Sequence, residues 1–270
     1  MSRKKQRLRM QIYIAAAFVF LLLAAVILAG KIAPNDPYRT NATLIRLAPC
    51  REYPFGTDNL GRCVFSRVLF GGRTTIAATF FLVAISFGIG TFIGILCGFY
   101  GGIFDRIFMR IADIFLSFPQ MVVAIAVAGI LGGGMAGAMV ALGITMWVAF
   151  ARLARSHTIS IRNEPYIMTS ILAGKGGVYI MFRHILPNIL APVLTNALTQ
   201  IGTTMIGLSG LSFLGLGVIP PTAEWGSMIS EGRAYIQIAP WTVLFPALAT
   251  IVTITLFNYL GDAVMEYRNV

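Results

Sequence analysis

Long apolar runs separated by short polar segments dominate this chain. A helix needs roughly 20 mainly apolar residues to cross the hydrocarbon core of a bilayer. By this measure the pattern predicts about six membrane-spanning helices, and therefore an all-α integral membrane fold. The predicted spans are Ile12–Gly30, Thr74–Tyr100, Ile114–Leu131, Met135–Phe150, Leu190–Val218 and Trp241–Leu260.

Composition supports the same class. The chain has 270 residues, of which 57% are hydrophobic and only 11% are charged, whereas soluble domains carry about 25% charged residues. The net charge of +11 could indicate a nucleic-acid partner. The basic residues, however, lie in short loops beside apolar runs, where they orient membrane helices. We therefore expect the lipid bilayer, and no nucleic acid, as a partner.

The basic N-terminal segment, residues 3–9, predicts the orientation. The apolar run that follows it exceeds the roughly 7–15 residues of a signal-peptide core, so we expect a retained first helix. If this segment is cytoplasmic, six spans return the C-terminus to the cytoplasm. Of the 21 Lys and Arg residues, 13 then lie inside and 8 outside. The predicted topology has both termini in the cytoplasm.

The predicted spans carry no ionisable residue in their interiors; Asp113, Arg152 and Asp262 lie at span ends. Ion-coupled and proton-coupled carriers usually place such a residue inside the membrane to bind the driving ion. Its absence indicates that energy comes from elsewhere, although carriers that use backbone carbonyls remain an alternative.

Small residues recur every four positions at the end of the second predicted span. On a helix they form one smooth stripe that allows another backbone to approach closely. The partner could be a helix of this chain or of a second subunit. The residues are Gly90, Gly94, Gly98 and Gly102.

A polar loop, residues 151–189, separates the fourth and fifth predicted spans. Pro165 suits the first turn of a helix, with Glu164 beside the positive helix end, and Gly174 would end that helix. We predict a short amphipathic helix, a glycine break and a second helix that stand out from the cytoplasmic surface. A surface loop without a partner is the alternative. The residues predicted to share one face are Ile167, Ile171 and Leu172.

This loop resembles the EAA loop of ABC importer permeases. That motif begins with a triplet of small residues, and three residues separate the triplet from a glycine. Nine further residues separate the glycine from a position that lies two residues before a Leu-Pro pair. The triplet falls on 168–170, where Met168 replaces the family's acid, and the glycine and Leu-Pro spacing is intact. By this resemblance the residues that couple to the ATPase are Glu164, Tyr166, Met168, Thr169, Ser170, Gly174, Arg183, His184, Leu186 and Pro187.

Further matches extend the resemblance over nearly the whole chain. Residues 55–67 are similar to a Gly-Thr-Asp…Gly-Arg-Asp…Ser-Arg segment of dipeptide, oligopeptide and nickel permeases, with Cys63 in place of the second Asp. The chain is thus identified as resembling the permease subunits of this ABC importer family. The other matching segments are 100–119, 212–217, 225–226, 231–233, 240–241 and 258–262.

The resemblance implies a bacterial inner-membrane protein that forms one half of a heterodimeric pathway. Its partners would be a second, homologous permease subunit, two ATP-binding subunits and an external solute-binding protein. We expect an N-terminal region at 1–73, the transmembrane domain at 74–265 and a cytoplasmic tail at 266–270. A phosphate-binding loop needs Gly, four residues and Gly-Lys-Ser/Thr, and residues 169–176 do not fit. We expect no enzyme activity and no cofactor on this chain, with ATP and Mg²⁺ on the partners.

The cargo is less well defined. The segment at 220–226 and the short chain resemble nickel-type permeases, so nickel or a nickel chelate is expected, with di- or oligopeptides as the alternative. His157 and His184 belong to the cytoplasmic side, and no cluster of His, Cys and carboxylates forms a metal site. Cys50 and Cys63 share one predicted external loop, where either a disulfide or free thiols could occur.

Uncharged polar residues in the last two spans are candidates to line the transport pathway. Hydrogen bonding between helices is the alternative role for such residues. A stand-alone channel or secondary carrier, which would work without ATP-binding partners, is the rival class. A membrane enzyme is disfavoured because the sequence has no HExxH and no Ser/His/Asp arrangement. The candidates are Thr195, Asn196, Thr199, Gln200 and Asn258.

Overall fold

The computed structural model describes residues 3–269, and they fold almost entirely into helices. The apolar runs form the long helices, and the polar segments form short helices and turns. The elements are α1 (Arg3–Ile27), α2 (Ala29–Ile32), a 3-10 turn (Ala42–Leu44), α3 (Val64–Tyr100), α4 (Gly102–Leu116), α5 (Gln120–Ile130), α6 (Gly134–Ile161), α7 (Pro165–Leu172), α8 (Gly177–Ile180), a wide turn (Met181–Ile185), α9 (Leu186–Phe213), α10 (Trp225–Arg233) and α11 (Trp241–Asn269).

Five helical segments of the described chain are long and apolar enough to cross a membrane, and the pair α4 and α5 would be a sixth. The predicted all-α membrane fold with about six spans is therefore confirmed. The third predicted span is wrong as a straight helix, because α4 and α5 are bent by 89°. Pro119 explains the break, since it disfavours a helical conformation at Phe118 and has no N–H to donate.

Several other predicted spans are shorter than the helices that contain them, and α3 and α6 show the reason. α3 begins at Val64 rather than Thr74, and α6 continues past Phe150 to Ile161. Both extensions carry arginines. Because arginine is hydrophilic, the hydropathy pattern predicts these segments as loops. The helices can continue because neighbouring groups accept hydrogen bonds from these arginine side chains. Arg155, for example, donates to Asp105 on α4 at 2.6 Å.

Contacts between the helices define their directions. Lys4 Nζ at the start of α1 lies 3.1 Å from Glu266 Oε1 near the end of α11, so both termini lie at the same end of the bundle. We call this end, which also carries residues 162–185, the loop end. The opposite end, with residues 31–63 and 214–240, is the far end. Which of them faces the cytoplasm stays a prediction.

The glycine stripe packs α3 against α6. A Cβ on Gly90 or Gly94 would lie 2.4 Å from a backbone oxygen of α6, and one on Gly98 would lie 2.6 Å from Thr158 Cβ. The stripe therefore serves packing within this subunit. Gly102 does not take part: it starts α4 with φ +65° and has nothing within 4 Å.

This packing also sets the topology. Gly90 meets Trp147 and Gly98 meets Thr158, so α3 and α6 run parallel. The chain between them has to return along the length of α3, and α4 and α5 provide that return. The bent pair thus makes the connection that a single span would make, although neither helix alone has the required length.

Candidate functional site

The loop between α6 and α9 begins with the short helix α7. α7 starts at Pro165, as predicted, and ends where Gly174 adopts φ +72°. The Gly174 N–H donates to the Ile171 carbonyl at 2.9 Å, and the Lys175 N–H donates to the Ser170 carbonyl at 3.1 Å. These two bonds form the left-handed cap that commonly ends a helix at glycine. The predicted glycine break is therefore present.

Ser170 and His184, both predicted as loop residues, lie together. Ser170 Oγ is 3.1 Å from His184 Nε2. The imidazole lies edge-on between the rings of Tyr166 and Tyr179, with centroid distances of 6.1 and 5.8 Å. These contacts hold α7 against the segment that leads into α9.

The packing face of α7 differs from the predicted one. Ile167 is buried against the rest of the chain, but Ile171 and Leu172 are exposed, Leu172 to 87%. Three apolar positions over two turns do not decide which side of a short helix packs against the protein. Of the three, only Ile167 belongs to the buried cluster that also contains Ile180 and Ile185. The outward face consists of Met168, Ile171 and Leu172.

The remaining predicted loop residues surround this face. Glu164, Thr169, Arg183 and Pro187 are exposed, and Leu186 is partly buried. The side of the loop away from the bundle is thus open to contact by another protein.

Two adjacent cavities lie along α9. The first, of about 290 Å³, is lined by Thr195, Asn196 and Thr199 together with His157 and Arg268. The second, of about 320 Å³, is lined by Gln200, Thr203 and Thr204 with Gln120 of α5. α6 contributes residues 142, 146, 153 and 157 to the two cavities, which helical periodicity places on one face. The cavities therefore belong to one groove, which we call the α6–α9 groove.

Four of the five predicted pathway residues line this groove, and Asn258 does not. Asn258 packs against α9 at Gly202, where an added Cβ would lie 2.6 Å from its Oδ1. Thr195 and Thr199 donate to carbonyls of α9 itself, at 2.9 and 2.8 Å, rather than to another helix. Asn258 thus lies against α9, while the other four residues face an open space.

A cluster of buried charges at the far end was missed by the sequence reasoning. Arg62 contacts Asp58 at 2.6 Å and Glu231 at 2.6 Å, and Arg67 Nε lies 3.4 Å from Asp58. Buried charges persist only where such pairs compensate their desolvation. The cluster joins the segment before α3 to α10. The residues of the cluster lie in the segments that carry the family resemblance. That resemblance is the one signal in the sequence that could have pointed to them.

The described residues contain no group of three or more His, Cys, Asp or Glu side chains that could hold a metal ion. Cys50 is exposed and Cys63 is buried, and both are free thiols.

A bundle of helices that are long and apolar enough to cross a membrane is typical of an integral membrane protein. The family model for the inner-membrane component of binding-protein-dependent transport systems matches residues 90–268. The chain belongs to this family. It is therefore a multi-pass protein of the bacterial inner membrane and a permease subunit of an ABC importer.

Two relatives match over most of the chain. The glutathione transport system permease protein GsiD of Escherichia coli O157:H7 is 42% identical over 253 residues, which cover 93% of this chain and 84% of that protein. The dipeptide transport system permease protein DppC of Alkalihalophilus pseudofirmus is 39% identical over 247 residues, 92% of this chain and 81% of that protein.

A solved structure has the same fold. A chain of the inward-facing methionine ABC transporter MetNI superposes with a TM-score of 0.60 at 20% identity, covering 76% of this chain and 96% of that chain. The similarity confirms the fold of the membrane domain.

Proposed function

We propose that this chain imports short peptides, with dipeptides and glutathione as the expected cargo, as one half of a heterodimeric pathway. The observation that carries the proposal is similarity over more than nine-tenths of the chain to permeases named for glutathione and dipeptide transport. These names favour the peptide alternative over nickel. The α6–α9 groove supports the same choice, because within residues 3–269 one histidine is the sole side chain of the His, Cys or carboxylate type in its lining.

The energy would come from two ATP-binding subunits that dock on the loop between α6 and α9. The outward face of α7 supports this role, since Met168, Ile171 and Leu172 expose an apolar surface. Exposed apolar patches of this kind mark protein interaction sites. Met168 stands where the family resemblance expects an acid, so the contact here relies on apolar packing. ATP and Mg²⁺ would bind the partner subunits, and an external solute-binding protein would deliver the peptide.

Uptake assays test this proposal. Labelled dipeptide, glutathione and nickel are supplied to cells with and without the chain, and ATP is depleted independently of the proton gradient. We expect dipeptide or glutathione uptake that needs both the chain and ATP. Uptake of nickel alone would overturn the peptide assignment and leave the importer class intact. Peptide uptake that follows the proton gradient and ignores ATP would support a secondary carrier.

A further inference from the structure

The α6–α9 groove is lined by two amide side chains, those of Gln120 and Gln200. α9 has 28 residues, or about 42 Å at 1.5 Å per residue, and Gln200 lies close to its middle. Gln200 accepts a hydrogen bond from Thr203 at 3.1 Å. Within residues 3–269 its NH₂ group has no acceptor, and the Gln120 side chain has no hydrogen-bond partner.

These amides do not suit a lipid-facing surface. Hydrocarbon offers no hydrogen bond, so polar groups of a membrane protein are satisfied by protein or by a water-filled space. Gln120 is exposed and Gln200 is partly exposed in this chain. Gln120 is the first residue of α5, directly after the break at Pro119. Its amide lines the same cavity as Gln200 near the middle of α9.

The lining of the groove suits the chemistry of a peptide. Peptide bonds offer both N–H donors and carbonyl acceptors, and a glutamine amide complements both. Among residues 3–269 no carboxylate lines either cavity, and Arg268 at the loop end is the one permanent charge in the lining. A peptide carboxylate therefore meets no repulsion from this lining. Leu142 and Met146 provide an apolar wall, and methionine adapts to side chains of different shape.

We propose that Gln120, Gln200 and Thr203 bind the backbone of the peptide cargo as it passes the middle of the membrane. The inference rests on the proposed function for the identity of the cargo. It assigns the discrimination between peptides and other solutes partly to this subunit, at Gln120 after the α4–α5 break and at two residues of α9.

Thiol labelling tests the location of the site. Gln120→Cys and Gln200→Cys are introduced into the full chain, assembled with its partner subunits and treated with a charged, water-soluble thiol reagent. Leu194→Cys is the matched control on α9, because Leu194 is 47% exposed but does not line the groove. The unaltered chain, with its three cysteines, gives the background. We expect labelling of the groove cysteines to be at least about ten-fold faster than at 194, because thiolate forms in water and not in hydrocarbon.

Transport measurements test the role of the amides. Gln200→Leu is compared with Gln237→Leu, which makes the same change at an exposed far-end position. We expect dipeptide uptake to fall about ten-fold in the first variant, as for loss of one hydrogen bond of about 1.4 kcal/mol. ATP hydrolysis stimulated by the solute-binding protein should remain, and immunoblotting establishes equal membrane levels. Added dipeptide should also slow labelling of Gln200→Cys.

The outcomes separate this inference from the proposed function. If the unaltered complex imports dipeptide while Gln200→Cys stays unlabelled, or while Gln200→Leu transports normally, the inference is overturned and the function stands. If the unaltered complex imports neither dipeptide nor glutathione, the proposed function fails, and the assignment of a peptide site fails with it.

Discussion

The ion cluster at the far end and the outward face of α7 at the loop end differ in the burial of their side chains. At the far end, Arg62 and Arg67 are 2% and 1% exposed and pair with acids of the same chain. At the loop end, Leu172 is 87% exposed, and the Lys4–Glu266 pair is open to solvent. The far end is thus stabilised by contacts within the subunit. The loop end exposes the apolar outward face of α7, which we propose as the docking surface for the ATP-binding subunits.

This difference indicates that the far-end cluster serves stability and that the outward face of α7 serves contact with partners. Separating a buried ion pair is costly, because each charge would lose its partner. Because the outward face of α7 is exposed in the isolated chain, its side chains contribute little to the stability of that chain. Substitutions in the far-end ion cluster should therefore change the stability of the subunit, and those on the outward face of α7 should change its coupling to partners.

The largest effect on stability is expected at Arg62. Arg62→Ala leaves Asp58 and Glu231 without their shortest partner, and breaking a buried pair costs about 3–5 kcal/mol. Thermal unfolding of the purified chain in detergent measures the loss. Arg39→Ala, an exposed arginine of the same segment, is the control and should unfold like the unaltered chain. Equal stability of the two variants would contradict a stabilising role for the cluster.

The next effect is expected at the α3–α6 contact. Gly94→Ala places a Cβ 2.4 Å from the Ala151 carbonyl oxygen, and overpacking of this kind costs about 1–3 kcal/mol. Gly88→Ala on the same helix has open space and should be neutral or slightly stabilising, since alanine favours helix. The same unfolding assay compares the two variants. A stable Gly94→Ala chain would mean that α3 and α6 can separate without loss.

The spans could be predicted from the sequence because apolar length alone decides them. Hydropathy does not register a change of helix direction, so the run through Pro119 was predicted as one span although α4 and α5 meet at 89°. The far-end cluster escaped prediction for a different reason. Arg62 and Glu231 are 169 residues apart in sequence, and without the fold nothing indicates that they meet.

The pathway residues show the same limit. Polar residues in a predicted span can line a pathway or hold helices together, and their types do not distinguish the two roles. The structure separates Asn258, which packs at Gly202, from Gln200, which faces the groove. Gln120 was not predicted as a pathway residue, because its position depends on the break that precedes α5.

A smaller and local effect on stability is expected at Gly174, together with a large effect on transport. Proline has φ near −65°, whereas Gly174 has φ +72° and donates its N–H to Ile171. Gly174→Pro should therefore distort the end of α7 and uncouple ATP hydrolysis from uptake while the chain stays inserted. Gly174→Asn is the control, because asparagine tolerates this conformation. Normal peptide uptake by the proline variant would remove the coupling role of the loop.

The smallest effect on the isolated chain is expected at Leu172. The side chain is almost fully exposed, so Leu172→Asp should change the free energy of unfolding by no more than about 0.5 kcal/mol. In the assembled importer the same change places a charge in an apolar contact, which should reduce co-purification of the ATP-binding subunits and lower uptake. Ile238→Asp, at an exposed far-end position, is the control and should retain the partners. If Leu172→Asp retains them equally well, the outward face of α7 is not the docking surface, and the contrast between the two ends loses its functional meaning.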